Sequence, residues 1–221
     1  MPAQRLTDEP VRLERFDVLG EDSESVPGFV CHVGLAIETK EALSLGEQVS
    51  VWHMGPPLEN PGSMAANSLG SAVLTVDEAN QIQLYLDEIE FEYDAAPRRP
   101  NWLQQYVVHP HVKPWCAKDG TPLWLRFSCA GLVIESYGDA GIDLVSQEDI
   151  EDMDAEVLDK AYPRFAPVTG LSPRRREYLG IPGKGPWPVL LAGYVLHALD
   201  RTAEDIRLAP YQPTLNDATF P

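Results

Sequence analysis

The sequence is poor in cysteine and lacks long apolar runs, and each shortage excludes a class of protein. Its three cysteines are an odd number and include no Cys-x-x-Cys pair, so they predict neither a disulfide framework nor a paired zinc site. No segment reaches the roughly 18 consecutive apolar residues that a membrane-spanning helix needs. The first residues also lack the apolar region of a secretory signal. We therefore expect reduced thiols, no membrane span and a cytoplasmic location.

Basic residues are scarce as well, because 17 Lys and Arg stand against 34 Asp and Glu, giving a formal net charge of −17. Such a charge repels phosphate groups, so we expect no nucleic-acid partner and read the charge mainly as a source of solubility. Dinucleotide-binding, Walker, His-Glu-x-x-His and Gly-x-Ser-x-Gly motifs are all missing from the sequence. Nucleotide-dependent, zinc-protease and serine-hydrolase activities thus have no support, and we expect no cofactor and no metal.

A chain of 221 residues can bury one sizeable core, and we find no internal repeat or second core. We predict one α+β domain over 1–221, with the core at 27–145 and a helical extension with a tail at 146–221. A run that is apolar on both faces predicts a buried strand at 29–37, and the patterns that follow predict strands at 48–53, 70–76 and 81–93. Helical periodicity predicts helices from Cys129 to about 138, at 148–161, 173–179 and 188–201. Polar or proline-rich composition predicts loops at 21–25, 55–62 and 109–125, a break at 95–100 and a surface tail after 206.

One stretch combines a reactive residue with a helix start. Ser128 is a good N-cap, so Cys129 falls in the first turn, where unpaired backbone N–H groups and the helix dipole favour the thiolate. Ala130 and Gly131 are small and leave room beside the sulfur. Cysteine is also among the residues most often buried and inert, so an unreactive thiol stays an alternative.

Two histidines lie on strands that are predicted to be neighbours. In the strand at 29–37, His32 shares a face with the small residues Gly34 and Ala36, and this face can adjoin a cavity. If that strand pairs with 48–53, His53 can hydrogen-bond one nitrogen of His32. Glu38 is in phase with His32 and competes for this orienting role. A cysteine nucleophile needs such an oriented imidazole, and the backbone N–H of Cys129 would supply one oxyanion donor.

A third group, His109, His111 and Cys116, lies within one short segment. Three such side chains could bind zinc, but the His-x-His-x4-Cys spacing is a weak pattern. The neighbouring prolines, Pro110 and Pro114, favour a rigid connector instead. The same segment could also form a wall of the cleft around Cys129.

The motifs that contain Cys129 and His32 resemble those of a known family. The run from Phe127 to Val133, followed by Tyr137 and an Ala-Gly-Ile end, is similar to the nucleophile helix of NlpC-type papain-like cysteine peptidases. Likewise, His32-Val33-Gly34-Leu35-Ala36-Ile37 resembles the His-Val-Gly-Ile strand of that superfamily. Because the histidine precedes the cysteine, the order resembles the circularly permuted branch, which includes the lecithin–retinol acyltransferase-like proteins.

The resemblance implies a papain-like core, in which a curved antiparallel sheet packs on the nucleophile helix. It also implies Cys129 as nucleophile, His32 as base and His53 as the polar residue of the second strand. The expected activity is hydrolysis of an amide, peptide, ester or thioester bond, or acyl transfer, through a Cys129 acyl-enzyme. The expected substrate is a peptide or an acyl-bearing small molecule. The alternative is a catalytically inactive papain-like module that binds a protein partner.

Overall fold

A computed structural model describes residues 2–24, 26–55, 58–95 and 104–221, and its largest sheet has six antiparallel strands. In spatial order they are β1 (Gln4–Arg5), β8 (Ser68–Gly70), β3 (Val18–Ser23), β4 (Val26–Ala36), β6 (Gln48–Met54) and β7 (Leu58–Ala65). The described ranges also contain three two-stranded ribbons: β2 (Val11–Leu13) with β5 (Lys40–Leu43), β9 (Val112–Cys116) with β10 (Pro122–Phe127), and β11 (Asp152–Met153) with β12 (Trp187–Pro188).

The helices come mainly after the large sheet. They are α1 (Val76–Ala95), α2 (Cys129–Asp139), α3 (Ala155–Ala161), α4 (Pro173–Leu179), α5 (Ala192–Leu199) and α6 (Ala203–Leu208). Short 3-10 turns cover Pro163–Phe165, Val168–Gly170 and Leu215–Ala218. Within the ranges that the structure describes, no helix combines the length and apolarity needed to cross a membrane.

The central strand β4 is buried on both sides, as its apolar run predicts. On one side its Val33 and Leu35 join the larger core, to which α2 contributes Leu132, Val133 and Tyr137. On the other side, Ala36 joins a smaller cluster that includes residues of β2, β5, β6 and β7. Helices α2 and α5 both pack against β4, and this packing fixes the start of α2 relative to the sheet.

Several elements confirm the sequence predictions. The fold class is α+β with an antiparallel sheet, strands occupy most of 29–37 and all of 48–53, and helices begin at Cys129 and cover 173–179. The Ser128 Oγ accepts a hydrogen bond from the Gly131 N–H at 2.8 Å, which confirms Ser128 as the N-cap of α2. The papain-like detail, and the division into a core at 27–145 and an extension at 146–221, stay predictions.

The strand predicted at 81–93 is wrong, because this segment lies in helix α1. Ile82, Leu86 and Ile89 are buried, and their spacing of four and three residues marks one face of a helix. A capping box begins the helix: Thr75 N–H donates to the Glu78 carboxylate at 2.7 Å, and Glu78 N–H donates to the Thr75 hydroxyl at 3.3 Å. The apparent alternation at 82–86 is coincidental.

Other differences arise where tertiary pairing overrides local composition. Residues 21–23 belong to β3 rather than to a loop, β7 occupies most of the loop predicted at 55–62, and the hairpin β9–β10 occupies most of the loop predicted at 109–125. The predicted strand at 70–76 keeps only its first residue in β8. The helices predicted at 148–161 and 188–201 are the shorter α3 and α5, since β11 and β12 pair just before them. Phe220 is buried, so the end of the chain is not a simple surface tail. Of the break predicted at 95–100, all but Ala95 lies outside the described residues.

Candidate active site

A cavity of about 500 Å³ lies between β4, β6, the start of α2 and the segment after α3. The three predicted site residues, Cys129, His32 and His53, all line it. Tyr162 and Arg164, which follow α3, line it as well. The structure therefore brings His32 and Cys129, which are 97 positions apart in the sequence, to the same cavity.

Cys129 is the first residue of α2 and only 3% exposed. Burial raises the pKa of its thiol, while the backbone N–H groups of Val33, Ala130 and Cys129 itself lower that pKa by a smaller amount. The sequence prediction that the helix start favours the thiolate is thus only partly realised. The N–H groups face the sulfur, but burial outweighs them, and Cys129 is a neutral thiol in the resting protein.

His32, His53 and Glu59 form a chain of hydrogen bonds along one side of the cavity. His32 Nε2 lies 2.6 Å from His53 Nδ1, and His53 Nε2 lies 3.1 Å from a Glu59 carboxylate oxygen. Burial lowers the pKa of His32 to about 3, and the neighbouring His53 and Arg164 act in the same direction. Burial also lowers the pKa of His53, although Glu59 opposes the change. Both imidazoles are therefore neutral near pH 7.

The hydrogen-bond partners determine where each imidazole carries its proton. A carboxylate can only accept, so His53 Nε2–H donates to Glu59, and His53 Nδ1 must accept. The hydrogen between the two rings then belongs to His32 Nε2. His32 Nδ1 consequently keeps a lone pair, and none of the hydrogen bonds found in the described part of the chain uses it. This nitrogen is the one available to take a proton.

Two glycines make room for the His53 ring. A Cβ on Gly62 of β7 would lie 2.2 Å from His53 Nε2, far inside van der Waals contact. A Cβ on Gly34 of β4 would lie 3.1 Å from the His53 Cβ. The ring thus occupies a slot between the strands on either side of β6, and this slot holds it in reach of both His32 and Glu59.

Glu59, rather than Glu38, occupies the orienting position. The register of β6 and β7 places Glu59 directly across from His53, whereas Glu38 lies exposed beyond the end of β4. Sequence reasoning missed Glu59 because the proline in its segment predicted a loop. Pro61 is tolerated since β7 is the edge strand of the sheet, where a missing N–H breaks no ladder.

The described residues show no hydrogen bond between Cys129 and an imidazole. The sulfur instead faces the N–H of Val33, the residue next to His32 in β4. Tyr162 and Arg164 line the same cavity, and the Arg164 guanidinium donates to the Gly55 carbonyl oxygen. The segment after α3 thus contributes to the wall of the cavity that holds the thiol.

The structure does not bring His109, His111 and Cys116 together as a metal site or as a wall of the cavity, the two alternatives to a rigid connector. His111 is buried, its Nε2 accepts a hydrogen bond from the Leu190 N–H at 2.8 Å, and its Nδ1 lies 3.2 Å from Ser128 Oγ. Cys116 is exposed at the end of β9. Across the ranges that the structure describes, no three His, Cys, Asp or Glu side chains are arranged to hold a metal ion. None of the three residues lines the cavity.

The chain matches no family model, and neither a curated protein nor a solved structure is significantly similar to it. The geometry of the site is therefore the basis for any functional assignment.

Proposed function

We propose that this protein is a cysteine hydrolase or acyl-transfer enzyme with a papain-like core. It acts on an amide, peptide, ester or thioester carbonyl of a peptide or an acyl-bearing small molecule. One observation carries the proposal: a helix-start thiol, Cys129, and an oriented imidazole with a free lone pair, His32, line the same cavity. Two further features support a papain-like core, namely the packing of α2 on β4 and the occurrence of His32 on that strand.

The protonation states favour general-base catalysis over a preformed ion pair. In the resting site the thiol and the imidazole are both neutral. As the Cys129 sulfur attacks the carbonyl carbon, its proton moves to His32 Nδ1, and the carbonyl π electrons move to oxygen. His53 then accepts a stronger hydrogen bond from the imidazolium of His32, and Glu59 stabilises the charge through His53.

The second half of the reaction returns the proton. His32 protonates the leaving amine, alcohol or thiol as the tetrahedral intermediate collapses to a Cys129 thioester. Water or another acceptor, deprotonated by His32, then attacks the thioester carbonyl carbon. The carbon–sulfur bond breaks as this second tetrahedral intermediate collapses, the acyl group leaves on the acceptor, and His32 returns the proton to the Cys129 sulfur. The N–H groups of Cys129 and Ala130 face the sulfur and can donate to the oxyanion that forms beside it, whereas Ser128 already binds the N–H of Gly131.

A partner-binding module without catalysis is the second candidate. Two observations favour it: Cys129 is only 3% exposed, and no hydrogen bond joins it to His32 within the described residues. In that case the thiol is part of the core, and the cavity serves recognition only.

Acylation with p-nitrophenyl acetate, followed by peptide mass spectrometry, separates the two candidates. An enzyme should release a burst of about one equivalent of p-nitrophenolate and carry the acetyl group on Cys129. Cys129→Ala should abolish the burst, whereas Cys116→Ser, which removes an exposed thiol, should preserve it. If Cys116 or a lysine carries the acetyl group and Cys129 stays free, the proposed enzyme is refuted.

A further inference from the structure

A second chain of hydrogen bonds leads to the start of α2, and its direction is fixed at a backbone amide. The Leu190 N–H donates to His111 Nε2 at 2.8 Å, so this nitrogen must be an acceptor. Burial lowers the pKa of His111 to about 3, and His109 adds to the effect. The ring is therefore neutral, and its one hydrogen sits on Nδ1. From there it is donated to Ser128 Oγ, 3.2 Å away.

The same Ser128 oxygen also accepts the N–H of Gly131 at 2.8 Å as the cap of α2. A hydroxyl oxygen has two lone pairs, and both are now engaged. The Ser128 hydrogen must consequently be donated to another group. Ser128 is completely buried, which leaves no solvent to take this hydrogen, and the phenol of Tyr162 lies beside it.

This arrangement determines which way the Tyr162 hydroxyl points. Ser128 lowers the pKa of Tyr162, as a hydroxyl that donates to the phenol oxygen does. A phenol that accepts the Ser128 hydrogen directs its own hydrogen away from Ser128, and Tyr162 lines the cavity that also holds Cys129. Burial raises the pKa of Tyr162 well above its ordinary value, and the nearby Cys129 raises it further, with Ser128 opposing. The phenol therefore keeps its hydrogen at any pH at which the protein is studied.

We infer that Tyr162 is a catalytic residue that donates a hydrogen bond to the oxygen of the acyl group attacked by Cys129, with Ser128 and His111 as positioning residues that fix its direction. The inference rests on the proposed function, because it requires Cys129 to be the nucleophile. The phenol loses no proton in this step. As the sulfur–carbon bond forms and the thiol proton passes to His32, negative charge develops on the carbonyl oxygen, and Tyr162 stabilises it there together with the N–H groups at the start of α2.

The role implies a specific selectivity between two reactions of the same thiol. Acylation passes through a tetrahedral oxyanion and should depend on Tyr162. Alkylation by iodoacetamide is a direct displacement of iodide at carbon, forms no oxyanion and should not depend on Tyr162. The ratio of the two rates at Cys129 thus reports oxyanion stabilisation and cancels changes in thiol acidity or access.

The test compares Tyr162→Phe with a matched control, Tyr194→Phe, which removes the hydroxyl of a buried tyrosine in α5 that does not line the cavity. Acylation by p-nitrophenyl acetate and alkylation by iodoacetamide are each measured at Cys129 by peptide mass spectrometry. In Tyr162→Phe we expect acylation to fall about 100-fold and alkylation to stay within about twofold of the wild type. Tyr194→Phe should change neither rate.

Ser128→Ala is a second variant, which removes the donor that holds the phenol in position. Here we expect the ratio of acylation to alkylation to fall by about 10-fold, since Tyr162 remains but is free to rotate. An unchanged ratio in Tyr162→Phe or, should that variant not fold, in Ser128→Ala overturns the inference while leaving Cys129 as the nucleophile. A wild-type protein whose Cys129 is alkylated but never acylated overturns the proposed function, and the inference with it.

Discussion

Gly62→Ala is predicted to slow acylation at Cys129 although it changes neither Cys129 nor His32. Gly62 lies in β7, and a Cβ at this position would be 2.2 Å from His53 Nε2 and 2.3 Å from His53 Cδ2. Ordinary contact begins at about 3.4 Å, so the ring must withdraw by about 1.2 Å. A displacement of that size takes His53 out of hydrogen-bond range of Glu59 or of His32, which are 3.1 Å and 2.6 Å away.

The expected loss follows from the role of His53 in orienting the base. A misplacement of about 1 Å in a catalytic group costs roughly 100-fold in rate. This corresponds to about 2.7 kcal/mol in the activation free energy. We therefore expect the p-nitrophenyl acetate burst at Cys129 to slow by about two orders of magnitude near pH 7.

Gly138→Ala is the matched control, because a Cβ on Gly138 near the end of α2 meets no atom within 4 Å. It should leave the burst unchanged and, as a helix substitution, leave stability equal or raise it by about 0.5–1 kcal/mol. Urea unfolding of both variants establishes that they are folded. A folded Gly62→Ala protein that reacts within twofold of the wild type would refute the orienting role of His53.

Two further predictions concern stability and are measured by urea unfolding. Leu132→Ala, at a completely buried position of α2, should lower the free energy of unfolding by about 2–5 kcal/mol. Leu84→Ala, at a position of α1 that is 62% exposed, should change the free energy of unfolding by less than about 0.5 kcal/mol. Equal losses would contradict the assignment of the two helix faces. Burial raises the pKa of Asp17 to about 6. The folded state thus holds this proton more tightly than the unfolded state, where the pKa is about 3.9. Stability should therefore fall by up to about 3 kcal/mol as pH rises from about 4 to 6. Asp17→Asn should lack this component, and a variant whose pH dependence parallels the wild type would contradict it.

The sequence was sufficient for elements whose pattern is local. The apolar run around His32 and the Ser128 cap before Cys129 both predict what the structure contains, since strand burial and helix capping depend on nearby residues. The contact between His32 and His53 also followed, because it needs only the pairing of two neighbouring strands.

The rest of the site depends on contacts between distant segments. Glu59 reaches His53 through the register of an edge strand that tolerates Pro61, and no local pattern gives that register. Tyr162 directly follows α3 and reaches the cavity because α3 packs against β4. His32 of β4 is 130 positions before Tyr162 in the chain. One local signal was present but overlooked: Thr75 and Glu78 have the spacing of a capping box, which identifies α1 as a helix.

The most direct test of the central claim is the pH dependence of Cys129 acylation in the wild type and in His32→Ala. If His32 takes the proton of Cys129, the variant should react about 10²- to 10⁴-fold more slowly near pH 7. The difference should shrink at alkaline pH, where hydroxide generates the thiolate without the imidazole. Parallel profiles with equal rates at every pH would contradict the account, because the Cys129 thiol would then react without any help from His32.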